Sequence, residues 1–278
     1  MEIRPASLLK SAAEHLRAAG IASPEVDART LLAWAMGVET WQLATEMTDE
    51  VDAERFQELV EARAAGWPLQ YLTGVAYFCT VSVAVGPGVF IPRPETEVMT
   101  GWSLAKLAGE GSTVVELCAG SGAISLAIAA ENGGCRQFAV ELDAEAFRWL
   151  TMNCAGTAVE PVHADMAIAL PELNGTVDLV IANPPYIPDG DRRLVADDVM
   201  AHEPELALFA GPDGLGAIAV VTQVAARLLK PGGLLVCEHD DTHGTSAPAL
   251  IDATGQFDDV QDHLDLAQRP RFVTARRR

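Results

Sequence analysis

From Thr113 onward the chain repeats one unit, a short apolar and β-branched run followed by a stretch of helical periodicity. That alternation constrains the fold more than any other feature, because strands joined by helices pair in parallel and are covered on both faces. The predicted strands are Thr113–Leu117, Gln137–Glu141, one near Val159–His163, Val177–Ala182 and Leu234–Glu238. Their helices span about Gly122–Ala130, Glu145–Cys154 and Leu215–Leu229. Lys230-Pro231-Gly232-Gly233 reads as the turn into the fifth strand. A last helix over Ala247–Ala253 and two strands near Val260–His263 and Arg271–Thr274 complete an α/β sheet domain. Ligands of such sheets bind beyond the carboxyl ends of the strands.

The first 64 residues follow a different rule. Leu9, Ala12, Leu16 and Ala19 share one helical face, which Gly20 ends. Ser23-Pro24-Glu25 then starts a helix whose stripe is Ala28, Leu31, Leu32, Ala35 and Met36, and Gly37 stops it. Shorter and longer helices are expected around Trp41–Glu46 and Glu50–Ala64. This small bundle carries no chemistry of its own; as a lid, a self-association surface or a docking surface its pattern is the same. Between Val75 and Val89 the pattern turns β-like, a hairpin or extended linker. It leads into Phe90-Ile91-Pro92-Arg93-Pro94-Glu95-Thr96-Glu97, where prolines bracket Arg93 before a helix at Glu95–Leu107. That segment is either a plain helix start with acids in its first turn or a stiff rim against a bound ligand.

Composition narrows the classes. Hydrophobic residues make up 49% of 278, so a large core is affordable, and the formal net charge is −20. A chain so acidic is a poor non-specific ligand for nucleic-acid phosphates, which makes stable DNA or RNA binding unexpected. Five scattered cysteines include no C-x-x-C pair, so neither a zinc site nor a disulfide framework is suggested. With no apolar run near the length of a membrane span and no signal-like core after Met1, a cytoplasmic protein with reduced thiols is expected.

Two constellations carry chemistry. The first is Asn183-Pro184-Pro185-Tyr186, directly after the apolar strand Val177–Ala182. The prolines end the strand and stiffen the turn. Asn183 brings a carbonyl acceptor and an NH2 donor, Pro184 and Pro185 bring carbonyls without a competing N–H, and Tyr186 brings a flat ring. Together they suit a planar group bearing an NH2. The tetrapeptide resembles the signature of enzymes that move a methyl group from S-adenosylmethionine to an exocyclic or amide nitrogen.

The second joins the first strand to its helix: Glu116-Leu117-Cys118-Ala119-Gly120-Ser121-Gly122-Ala123. Gly120 and Gly122 permit a tight turn and a close ligand approach. The dinucleotide pattern G-x-G-x-x-G is not met, since Cys118 takes the first slot when Gly120 is the second and Ser125 takes the last when Gly120 is the first, and no P-loop lysine follows. A glycine turn without a phosphate cradle suits a nucleoside ligand. Glu141 ends the second strand about 20 residues later, where an acid accepts from ribose hydroxyls or merely sits at a strand end. Asp165 after the third strand would meet an adenine amino group, and Met166 would line the adenine edge.

The whole chain resembles the release factor glutamine methyltransferases. The match runs through Ala22-Ser23-Pro24 with Asp27-Ala28, Pro68-Leu69-Gln70-Tyr71-Leu72-Thr73-Gly74, Ile91–Glu97, Glu116–Gly122, Glu141, Asn183–Tyr186, Glu203-Pro204 and Asp213-Gly214-Leu215. The family usually has Asp at positions 116 and 141, Gly at 118 and Gln at 243, where this chain has Glu, Glu, Cys and His. The resemblance implies a seven-stranded S-adenosylmethionine-dependent methyltransferase sheet, a helical release-factor-binding domain at 1–74, a β-hairpin linker at 75–92 and a catalytic domain at 93–278. It implies S-adenosylmethionine as cofactor, with S-adenosylhomocysteine as product, no metal and no membrane. Cys118, Ala119, Gly120, Ser121, Gly122, Glu141, Asp165, Met166, Asn183 and Arg93 would contact the cofactor. Asn183, Pro184, Pro185 and Tyr186 would bind the glutamine of a Gly-Gly-Gln loop, with Asn183 and Pro184 accepting its amide hydrogens and Tyr186 packing on its plane. Two rivals stay open: a DNA adenine-N6 methyltransferase, which shares Asn-Pro-Pro-Tyr, and a binding protein that has kept the sheet without catalysis.

Overall fold

The computed structural model describes residues 5–43, 52–107 and 111–278. Strands β1 (Val75–Phe78) and β2 (Val81–Ala84) pair as a hairpin. The seven that follow are β3 (Thr113–Leu117), β4 (Arg136–Glu141), β5 (Val159–His163), β6 (Val177–Ala182), β7 (Leu229–Glu238), β8 (Phe257–Leu264) and β9 (Pro270–Arg277). They form one sheet in the order β5-β4-β3-β6-β7-β9-β8. The first five are parallel, and β9 inserts antiparallel between β7 and β8. Strand order reverses between β3 and β6, which opens a crevice beyond their carboxyl ends.

The sheet holds because its central strands are apolar on both faces. Val115, Leu117, Val180, Ala182 and Leu235 pack with Ile218, Val221 and Leu228 from helix Gly216–Leu228, all fully buried. At roughly 25 cal/mol per Å² of apolar surface removed from water, burying such side chains is the dominant favourable term. Asp178 anchors the sheet's amino end, accepting from the Thr113 N–H at 2.8 Å and pairing with Lys230. The Lys-Pro-Gly-Gly turn expected before the fifth strand is instead part of β7. Leu229 pairs with Val177 and Leu234 with Leu179, so β7 advances five positions (229 to 234) while β6 advances two (177 to 179). The surplus bulges outward, and Gly232 supplies the positive φ of 81° that the bulge needs.

By its contacts the chain divides into two units. One is Met1–Val75 with Asp197–His202; the other is Ala76–Ala196 with Glu203–Arg278. The first is helical: Pro5–Ala18, Pro24–Met36, Ala53–Ala64, the short Leu69–Thr73 and Asp197–His202. Leu16, Leu31, Leu32, Phe56 and Val60 form its core. Arg63 reaches the buried Asp27 at 2.8 Å, which fastens two helices. The helix expected at Trp41–Glu46 lies outside the described residues from position 44, as do residues 50 and 51 of the one expected from Glu50. In the second unit β2 is tied to the helix Ala144–Cys154, Asn153 holding both the N–H and the carbonyl of Ala84 at 2.8 and 2.9 Å.

Candidate active site

The glycine turn after β3 is shaped by three positive φ values, 56° at Cys118, 54° at Gly120 and 81° at Gly122. Gly122 is required by packing as well. A β-carbon there would meet Leu150 Cδ1 at 2.6 Å. Cys118 carries a β-carbon in the left-handed region, at about 1–2 kcal/mol. Leu117 and Val140 are partners across β3 and β4, so this turn and the end of β4 meet. Glu141 Oε2 accepts from the Gly120 N–H and Oε1 from the Asp143 N–H, both at 2.8 Å. Each oxygen keeps acceptor capacity for a ligand hydroxyl. Burial raises the Glu141 carboxyl above its ordinary range, against those backbone donors.

Glu116 lies beneath the turn, 2% exposed, and takes both the N–H (2.9 Å) and the hydroxyl of Ser125. Burial pushes it up to about 7, against the pull of Ser125 and with help from the Glu141 charge. Asp165 follows β5 on the surface, its side chain accepting from the Ala167 N–H at 2.9 Å. Met166 Sδ lies 3.8 Å from Cys118 Sγ.

These groups line one cavity of about 270 Å³. Cys118, Ala119, Gly120, Ser121, Glu141, Asp165, Met166, Asn183 and Pro185 all border it. Gly122, Pro184, Tyr186 and Arg93 do not border it. Gly122 is turned toward Leu150, and Pro184 is buried. Arg93 pairs with the buried Glu203 and lies over the Phe90 ring, 4.8 Å from its centroid. Glu203 also accepts from the Ile91 N–H at 3.2 Å. Arg93 therefore braces the rim, while Phe90 and Pro92 of the same segment face the cavity.

Asn183 directly follows β6, with Nδ2 donating to Thr96 Oγ1 at 3.2 Å. Among the described residues its Oδ1 accepts no hydrogen bond, so the carbonyl is the unpaired pole of this amide. Tyr186 packs on the sheet core, and its hydroxyl donates to Glu238 Oε1 at 3.0 Å. Its ring is thus anchored from below instead of lying in the cavity wall. Glu238 is 1% exposed. Burial pushes it up to about 7, against the Thr96 and Tyr186 hydroxyls and the Arg271 guanidinium, with Glu95 adding to the rise. Sequence reading passed over Thr96 and Glu238. The signals were there: Thr96 sits inside the quoted Pro-Arg-Pro-Glu-Thr-Glu segment, and Glu238 ends an apolar strand just as Glu141 does.

Glu116, Glu141, Asp143 and Asp165 line the cavity, and among the described residues no Lys, Arg or His does. Such walls repel phosphates and attract a cation. An S-adenosyl group suits such walls in charge and polarity: it carries a sulfonium and an ammonium, and the lining pairs acids with the apolar Leu142 and Met166. No cluster of three metal-ligating side chains occurs among the described residues, and none of their helices is long and apolar enough to cross a membrane.

This sheet order and this cavity define an S-adenosylmethionine-dependent methyltransferase. Residues 84–227 match the methyltransferase small domain and residues 7–74 the PrmC N-terminal domain. A release factor glutamine methyltransferase of Streptomyces coelicolor is 45% identical over 269 residues, covering 96% of this chain and 95% of that protein. The 4-amino-L-phenylalanine/4-methylamino-L-phenylalanine methyltransferase of Streptomyces pristinaespiralis is 41% identical over 260 residues, covering 91% of this chain and 88% of that one. A T. thermophilus 16S rRNA methyltransferase solved with AdoMet and guanosine shares the fold, with a TM-score of 0.52 and 21% identity over 73% of this chain and 50% of that one. The chain belongs to the release factor glutamine methyltransferase family.

Proposed function

We propose that the protein methylates the side-chain amide nitrogen, N5, of the glutamine in the Gly-Gly-Gln loop of peptide-chain release factors. The observation that carries this is the polarity of Asn183. Its NH2 is held by Thr96, and its carbonyl is left to accept a hydrogen from a substrate amide at the edge of an acid-lined cavity. When bound, S-adenosylmethionine supplies an electrophilic methyl group. The rest is orientation. An amide nitrogen is a weak nucleophile because its lone pair is delocalised, so it must be aimed. Asn183 Oδ1 accepts one of the amide hydrogens, which aims the nitrogen and favours the positive charge that develops on it. Each turnover forms one N–C bond, breaks one S–C bond with its electrons left on sulfur, and releases one proton. Domain roles follow this reading, with residues 1–74 docking the release factor, and so does a cytoplasmic location.

A second reading comes from the Streptomyces pristinaespiralis relative, whose name gives an aryl amine as substrate. That group also presents an NH2 on a flat system. The DNA adenine reading is not favoured, because the relatives named here act elsewhere and, among the described residues, no basic side chain lines the cavity. One assay separates the three. The protein is mixed with labelled S-adenosylmethionine and an unmethylated release factor, with 4-amino-L-phenylalanine and duplex DNA in parallel tubes. Label on the Gly-Gly-Gln glutamine, located by peptide mass spectrometry, is the expected result. Label on the amino acid or on adenine alone would overturn it.

A further inference from the structure

Beneath the Asn-Pro-Pro-Tyr turn, hydrogen bonds from both of its ends converge on one neighbourhood. β6 and β7 are parallel partners with Ala182 beside Cys237, so the next residues, Asn183 and Glu238, leave the sheet side by side. They do not bond directly. Thr96, buried at 3% exposure, takes the Asn183 NH2 on its hydroxyl oxygen. Tyr186, at the other end of the turn, gives its hydroxyl hydrogen to Glu238 Oε1. Glu238 Oε2 is buried with no regular hydrogen-bond partner, and the nearby Thr96 hydroxyl favours the charged carboxylate.

We propose that ionised Glu238 is a positioning residue that sets the direction of the Thr96–Asn183 hydrogen bond and so keeps the Asn183 carbonyl toward the substrate. The inference rests on the methyl-transfer reading above. A threonine hydroxyl has one hydrogen and two lone pairs, and it rotates to suit its neighbours. Facing a carboxylate, it turns the hydrogen toward Glu238 and can only accept from Asn183, which must then present NH2 to Thr96 and C=O to the cavity. Facing a protonated Glu238, it can accept from the acid and donate to Asn183. The amide then flips and offers NH2 where the substrate also offers NH2. Tyr186 holds the carboxylate in place while the choice is made. The groups acting on Glu238 are Thr96 and Glu95 from helix Pro94–Lys106, Tyr186 from the turn and Arg271 from β9. Since burial lifts Glu238 to about 7, the two settings exchange near neutral pH.

The test uses the full chain, an intact unmethylated release factor and S-adenosylmethionine. In wild type kcat should rise with pH through a single ionisation near 7. Glu238→Gln should lower kcat by about 100-fold, the usual scale for a misdirected catalytic hydrogen bond, and flatten the profile. The dissociation constant for S-adenosylmethionine should stay at its wild-type value. Thr96→Val should give the same loss, with no further loss in the double variant, and Thr96→Ser should restore activity. A second readout needs no turnover. The side-chain amide signals of Asn183 in nitrogen-15 spectra, identified by their absence in Asn183→Ala, should titrate with Glu238 in wild type and stand still in Glu238→Gln. Wild-type kcat and pH profile in Glu238→Gln, or an Asn183 amide that does not titrate, would overturn the proposal. A wild-type protein whose amide titrates but which methylates no release factor would overturn the functional reading alone.

Discussion

Gly214 closes on the backbone of Tyr186: a β-carbon built on Gly214 would lie 2.2 Å from the Tyr186 carbonyl oxygen and 2.8 Å from His243 Cε1. Its φ is +71°. The segment after Tyr186 is held on the same side, with the Ile187 N–H donating to the Leu208 carbonyl at 2.9 Å and the Ala210 N–H to Ile187 at 3.0 Å. The turn that carries Asn183 is therefore clamped by a distant glycine. Gly214→Ala should lose at least about 2 kcal/mol, from the left-handed backbone and the clash together. Denaturant unfolding measures the loss, and turnover should fall further than stability, because the turn must move to make room.

Cys118 offers the opposite case. It holds φ at +56° with a side chain that needs no such conformation. Cys118→Gly should raise stability by about 0.5–1 kcal/mol, the left-handed cost relieved less the extra chain entropy of glycine. A melting temperature at or below wild type would show that the Cys118 contact with Met166 outweighs the strain.

Asn183→Ala removes the acceptor and leaves the cavity's acids in place. Methyl transfer should drop by about 100-fold or more, as when one preorganised group of a catalytic pair is lost. Titration calorimetry should find S-adenosylmethionine still bound. A variant that turns over at the wild-type maximal rate and fails only to bind would contradict the orienting role.

Glu141→Ala should weaken the cofactor with the fold preserved. The substitution removes a ribose acceptor, and it also frees the Gly120 and Asp143 N–H groups that Glu141 now satisfies. Losing a charge-assisted hydrogen bond to a hydroxyl corresponds to about 10-fold or more in affinity. Glu141→Gln keeps an acceptor and should fall in between. Equal affinity in all three proteins would remove Glu141 from the cofactor site.

Stability should depend on pH through Glu116. Its folded pKa, about 7, lies above the ordinary 4.5, so between these values the folded state holds a proton that the unfolded state has released. The contribution is complete below about pH 4.5 and is lost as pH rises through 7. Glu116→Gln carries no such proton. Unfolding free energies of the two proteins, measured from pH 5 to 8, should show wild type losing stability relative to the variant as pH rises. A constant difference would mean that Glu116 is ionised throughout.

What the sequence determined was local. Short apolar, β-branched runs alternating with helical patterning placed the five parallel strands, and the strand ends at Leu117, Glu141 and Ala182 came out at the same residues. The glycine turn and Asn183–Tyr186 were legible because a turn's chemistry is written in adjacent residues. Packing against Tyr186 and His243 gives the physical reason for Gly214 in Asp213-Gly214-Leu215, which the chain alone did not supply. The β7 bulge was not legible, because whether Lys230–Gly233 turns or stays paired depends on the neighbouring strand. Nor was the anchoring of Arg93 by Glu203, 110 residues away, or of Tyr186 by Glu238, 52 residues away. Thr96 and Asn183 meet across 87 positions. Side-chain polarity could nominate such residues, but only strand order, register and burial could decide which donor faces which acceptor. The direction of one amide in the site depends on that decision.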